Sequence, residues 1–272
     1  MTRLASILLG TLLVAVGPAG ASHDAAPTPA PIPRALAGGV YCRDGAGGAP
    51  LLLAFAGWTV EPAWAWNWAI QLTPLPTLHA DPEATTAGVC VLRGPADASY
   101  RTKDLATAEL AEWLLARTRG GAAGPIVAIA HSSGSFVAHH LFRQLRSRPG
   151  GRELLAHIRY FNLDGAIGTG DLELDADLVA ALGEVHAVYA VDPRTGSESA
   201  NADDMRALHA RAPAKVRLHA LDAADSGCAP GAKWCLHDVL VTRRPHDPTR
   251  FDLARDYGNL DSEHPVQDGY LH

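Results

Sequence analysis

The chain has 272 residues, near the upper end for a single domain, and 47% of them are hydrophobic, enough for a sizeable core. Its net charge is −6 and it carries no basic tract, which excludes a protein built to neutralise nucleic-acid phosphates.

The first segment reads as an export signal. Arg3 is followed by a short apolar run, Ile7 to Val16, and then by the small residues Ala19-Gly20-Ala21. Cleavage after Ala21 is expected, leaving a secreted or periplasmic protein; it would remove Arg3 and take the charge from −6 to −7. The run is too short to span a bilayer, and no later stretch is apolar and long enough, so no stable membrane insertion is expected. Residues 22–36 are rich in Pro and Ala and read as a flexible leader. Residues 37–272 read as one domain.

Within that domain, apolar runs alternate with helical patterns. Strands are expected at 50–56, 87–92, 125–130, 158–163, 185–191 and 215–221. Helices are expected at 104–117, with Asp104 as cap, and at 134–146, 171–183 and 202–211. Alternation of this kind predicts an α/β protein with a mainly parallel, doubly wound sheet and helices on both faces. Such sheets bind ligands beyond the carboxyl ends of their strands.

Four cysteines, Cys42, Cys90, Cys228 and Cys235, suggest two disulfides in an exported chain. Three pairings are possible. The seven-residue spacing of Cys228 and Cys235, with Pro230-Gly231 between, favours a local loop and leaves Cys42 for Cys90. A zinc site is the rival reading, but no Cys-x-x-Cys pair occurs.

After the run PIVAIA come His131-Ser132-Ser133-Gly134, then a helical pattern. The string Ala130-His131-Ser132-Ser133-Gly134 resembles the nucleophile elbow of the α/β-hydrolase superfamily, with Ala130 at the usual first glycine. A helix N-cap serine in an unrelated α/β fold is the plainer reading. The resemblance covers roughly residues 40–245. It implies the α/β-hydrolase fold, Ser132 as nucleophile, and the Ser133 N–H as one oxyanion donor. The second donor would follow the first central strand, at Gly57-Trp58, where the Trp58 N–H is the candidate. Ser133 and Ser135 otherwise read as local supports.

The same resemblance implies the chain order serine, acid, histidine. Two aspartates end expected strands, Asp164 and Asp192. The more frequent placement of the acid favours Asp192, with Asp164 the alternative. Among the late histidines, His237 lies two residues past Cys235 and would be braced by the disulfide loop; His246 is the alternative base and His264 a weaker one. His139 and His140 read as packing or surface residues. Trp64, Trp66 and Trp68, together with Gly57, are candidates for a substrate-binding wall, or else cover the core.

These residues point to a serine carboxylesterase or lipase-like enzyme acting on a small-molecule or lipid-like ester. A peptidase on the same fold, or a non-catalytic binding protein that keeps Ser132 but lacks a base, are the competing readings. No cofactor or metal is implied. The phosphate-loop pattern and His-Glu-x-x-His are absent, and Gly165–Gly170 does not match the dinucleotide fingerprint.

Overall fold

Long apolar runs become strands here because a parallel sheet buries both of its faces. The computed structural model describes residues 35–36, 40–43, 50–57, 88–92, 94, 107–120, 124–224 and 226–241. Its strands are β1 (Ala35–Leu36), β2 (Val40–Arg43), β3 (Leu51–Phe55), β4 (Gly88–Leu92), β5 (Ile126–His131), β6 (Ile158–Leu163), β7 (Glu184–Asp192), β8 (Ser197–Glu198) and β9 (Val216–Asp222). They form one sheet in the order β1-β2-β4-β3-β5-β6-β7-β8, with β9 also pairing β7. The pairings β4–β3, β3–β5, β5–β6, β6–β7 and β7–β9 are parallel. Antiparallel pairs occur only at the margins among the described residues.

The expected strands are all present, within a residue or two at each end. Expected helices 134–146 and 202–211 are α2 (Gly134–Arg146) and α5 (Ala202–Arg211). The helix placed at 104–117 is α1 (Thr107–Arg119), so the Asp104 cap lies outside the described residues. The segment 171–183 splits into a 3₁₀ turn, Gly170–Leu172, and α4 (Ala176–Ala181), whose cap Asp175 accepts from the Leu178 N–H at 2.8 Å. Two short helices were not anticipated: α3 (Gly151–Leu155) and α6 (Lys233–Val239).

Alternate strand residues feed two cores, as the period of two requires. Leu51, Leu53 and Phe55 pack with Leu110 and Leu114 of α1 and Leu141, Phe142 and Leu145 of α2. Leu52 and Ala54, on the opposite face, join Val127, Ile129 and Phe161 against Leu236 and Val239 of α6. Helices therefore cover both faces, and the fold is the expected α/β class. Both expected disulfides are present. Cys42–Cys90 joins directly opposed residues of β2 and β4, and Cys228–Cys235 closes the loop that leads into α6. No described helix is long and apolar enough to cross a membrane. Residues 22–34 and the segment after Val241 lie outside the described residues, while Ala35 and Leu36, expected at the end of the flexible leader, pair with β2 as β1.

His139 and His140 of α2 are packing residues. His140 Nδ1 meets Thr107 Oγ1 at 2.6 Å. The fully buried His139 donates from Nδ1 to the Leu172 carbonyl and accepts at Nε2 from the Tyr160 hydroxyl, both at 3.0 Å. That pattern uses one donor and one acceptor, so it needs the neutral ring. Burial above all lowers the His139 pKa from 6.5 to about 4; Arg143 adds to this and the Leu172 bond opposes it. Above pH 6.5 the ring is neutral folded or unfolded. Below that the unfolded chain takes up a proton that the folded chain refuses, so stability falls from pH 6.5 towards 4. The loss approaches about 3 kcal/mol below the folded pKa. Urea unfolding between pH 7.5 and 4.5 should show this slope, and His139→Gln should reduce it, the remainder coming from His131 and the other histidines that burial holds low.

Candidate active site

Register sets which side chains can meet. His131, the last residue of β5, pairs with Leu163, the last residue of β6. Ser132 and Asp164 therefore sit one step beyond the ends of neighbouring strands. Each is anchored by the sheet: the Ser132 N–H donates to Leu163 O at 3.1 Å, and the Asp164 N–H to Val188 O at 2.7 Å. Both then turn into the left-handed region, with φ of 56° at Ser132 and 46° at Asp164. For residues with a Cβ this conformation costs about 1–2 kcal/mol. No other described non-glycine residue adopts it.

The elbow explains its glycine. A Cβ at Gly134 would collide with the carbonyl oxygens of Phe55 and Ala56, because the start of α2 runs against the end of β3. Ala130 is fully buried within β5 opposite Phe55, where a methyl group fits. Gly57 follows β3 beside the elbow; a Cβ there would lie 3.2 Å from Ser132 Cβ. Ser133 heads α2, and the N–H groups at the start of a helix have no intrahelical acceptors. Ser135 is a support, as expected: its Oγ accepts from the Ala166 N–H at 3.1 Å and ties down the turn after Asp164.

His237 lies on α6, 3% exposed, and its Nδ1 meets Asp164 Oδ2 at 2.6 Å. Asp164 itself has no exposed surface. Its Oδ1 accepts from Ser199 Oγ at 2.6 Å, and the Asn201 N–H donates to both oxygens at 3.2 and 3.1 Å. Asn201 Nδ2 also donates to the Asp164 carbonyl at 2.6 Å. These donors offset the cost of burying the carboxyl group. Because His237 donates from Nδ1 to that carboxylate, Nε2 is left as the acceptor.

The expected pairing of His237 with Asp192 is not the one formed. Leu163 is level with Val188, so the β7 residue level with Asp164 is Tyr189. Asp192 lies three residues further along, about 10 Å at roughly 3.3 Å per residue. Its carboxylate turns to its own loop, accepting from the Arg194 N–H at 2.9 Å and from the Arg194 guanidinium at 3.2 Å. Burial pushes the Asp192 carboxyl up, but the Arg194 amide and guanidinium outweigh it and hold the pKa low.

His131 is 8% exposed, and its ring lies 4.4 Å, centroid to centroid, from that of His237. Its Nε2–H donates to the His237 carbonyl at 3.0 Å. Burial first, and the neighbouring His237 second, push the His131 imidazole well below its usual range, against the pull of that hydrogen bond. Trp234 is 64% exposed, and its ring lies edge to face with that of His237, 5.3 Å between centroids. His131, His237 and Asp238 have donor atoms within 4.8 Å of one another. With His131 Nε2 and His237 Nδ1 committed as N–H donors, the ring lone pairs left there are those of His131 Nδ1 and His237 Nε2. Trp58, Trp64, Trp66, Trp68, His246 and His264 lie outside the described residues. Sequence reasoning missed Ser199, Asn201 and the role of His131. Only His131 had a signal, a polar ring closing an apolar strand next to the serine.

No family model and no curated protein matches the chain. Solved structures do. A hormone-sensitive lipase from a metagenome library is 16% identical, with a TM-score of 0.42, over 75% of this chain and 81% of that one. Carboxyl esterase 2 from Tuber melanosporum is 12% identical, TM-score 0.42, over 74% and 79%. An esterase from Pyrobaculum calidifontis is 11% identical, TM-score 0.41, over 74% and 79%.

The Asp164 cluster makes Ser199 a stability determinant. Ser199→Ala removes the donor to Asp164 Oδ1 and the acceptor of the Ala190 N–H, both buried. The variant should lose about 2 kcal/mol in urea unfolding. With its mainly parallel sheet, helices on both faces and the tight strand–Ser132–helix turn, the protein has a doubly wound α/β fold.

Proposed function

We propose that the protein is a serine hydrolase that cleaves carboxylic esters through an acyl-enzyme. The observation that carries this reading is the 2.6 Å bond from His237 Nδ1 to the buried Asp164, made next to a strained serine elbow. A serine hydroxyl becomes a nucleophile when a neutral imidazole takes its proton. The carboxylate fixes the tautomer and steadies the imidazolium that forms. Asp164 is the acid in this proposal.

In the first step Ser132 Oγ forms a bond to the ester carbonyl carbon as its proton passes to His237 Nε2. The oxyanion accepts from the Ser133 N–H and, we propose, the Trp58 N–H. The bond to the leaving oxygen then breaks, and the proton on Nε2 goes to the departing alcohol. Water next gives a proton to Nε2 and attacks the acyl carbon. The carboxylic acid leaves as Ser132 recovers its proton. Among the described residues no hydrogen bond joins Ser132 Oγ to His237; such contacts are often long without substrate and tighten in the Michaelis complex. The two disulfides fit an oxidising compartment, secreted or periplasmic. The exposed Trp234 beside His237 fits an apolar substrate group.

Hydrolysis of p-nitrophenyl acetate, butyrate and a long-chain ester tests the proposal. Ser132→Ala and His237→Ala should each lower kcat at least about a thousandfold. Asp164→Asn should lower it by about 10³–10⁴, through the wrong tautomer, while Asp192→Asn stays within about threefold of wild type. Equal losses in the two aspartate variants would return the acid to question. An inert wild type would favour a non-catalytic binding protein.

A further inference from the structure

We propose that His131 is a positioning residue for His237, holding the imidazole over the elbow through a hydrogen bond to its backbone. The proposal rests on the hydrolase reading above, in which His237 is the base.

α6 is only seven residues long. A helix cannot satisfy its own last four carbonyls, and that of His237 is one of them. His131 Nε2–H supplies the donor, at 3.0 Å, in a buried setting. The bond spans 106 residues of sequence and joins the strand that carries Ser132 to the helix that carries His237. Asp164 fixes the edge of the His237 ring at Nδ1, but one hydrogen bond leaves the ring free to swing about it. The bond from His131 fixes the backbone from which the ring hangs, and the His131 ring, tilted 36° at 4.4 Å, borders the ring itself. Two anchors and a wall define a position that one anchor does not. Small displacements matter here, because a shift of about 1 Å in a reacting group can cost a hundredfold in rate.

The donor requirement also selects the tautomer. His131 must carry its proton on Nε2 to serve the carbonyl, and a neutral ring does this while adding no second positive charge beside the imidazolium that forms on His237. The tie runs through a side chain that makes no bond to substrate, so its loss should appear in kcat and hardly in KM.

Three full-length variants test this: His131→Phe keeps a ring without the donor, His131→Gln keeps a donor near the Nε2 position without the ring, and Asp164→Asn identifies the signal. The readout is the downfield proton resonance of His237 Nδ1–H, assigned by its loss in Asp164→Asn, followed with the kinetics of p-nitrophenyl butyrate. His131→Phe should broaden that resonance or speed its exchange about tenfold or more, and lower kcat about ten- to a hundredfold with KM within about twofold. His131→Gln should restore the resonance and bring kcat to within about threefold of wild type. A resonance unchanged in His131→Phe, or a loss that His131→Gln does not rescue, overturns the proposal. If wild type turns over no ester, the hydrolase reading fails, and the resonance alone decides whether His131 positions His237. Should His131→Phe not fold, His131→Met, equally unable to donate, takes its place with the same expectations.

Discussion

The 2.6 Å hydrogen bond between His237 Nδ1 and Asp164 Oδ2 joins a helix on one face of the sheet to the carboxyl end of a central strand. A buried carboxylate is costly unless donors surround it. Much of the local structure supplies those donors. β7 turns back through β8 so that Ser199 and the Asn201 amide reach Asp164. The Cys228–Cys235 bridge closes the loop before α6 and so narrows the positions open to His237, two residues on. On a chain-entropy view a loop this short contributes about 2 kcal/mol against the unfolded state.

Strain is concentrated in the same place. Ser132 and Asp164 are neighbours at the ends of β5 and β6, and both are left-handed. Each backbone is pinned by the adjacent strand at the residue where it turns. The sheet therefore offsets a local cost and fixes two side chains beyond its edge. Gly134 and Gly57 let backbones close in around the serine, where a larger residue would force the elbow outward.

Much of the fold is legible in the sequence, for a physical reason. Strands buried on both faces read as unbroken apolar runs, so 158–163 is recovered at both ends and the others within a residue or two. The serine is legible because a tight strand-to-helix turn demands small residues at set offsets. The acid is harder. Asp164 and Asp192 both end a strand, and what separates them is the register of β6 on β7 and the extra length of β7, neither of which leaves a local pattern. The helix around His237 is seven residues long and half polar, too short for a periodic signal. Ser199 and Asn201 serve Asp164 across more than thirty residues, and nothing near them announces it.

The central claim is that Ser132, His237 and Asp164 act in series. The most direct measurement is a fluorophosphonate reaction followed by peptide mapping, in wild type and in Asp164→Asn. The account predicts a single phosphonylated site at Ser132, formed rapidly in wild type and at least about a hundredfold more slowly in the variant. Labelling of another serine, or labelling of Ser132 at the same rate in both proteins, would contradict it.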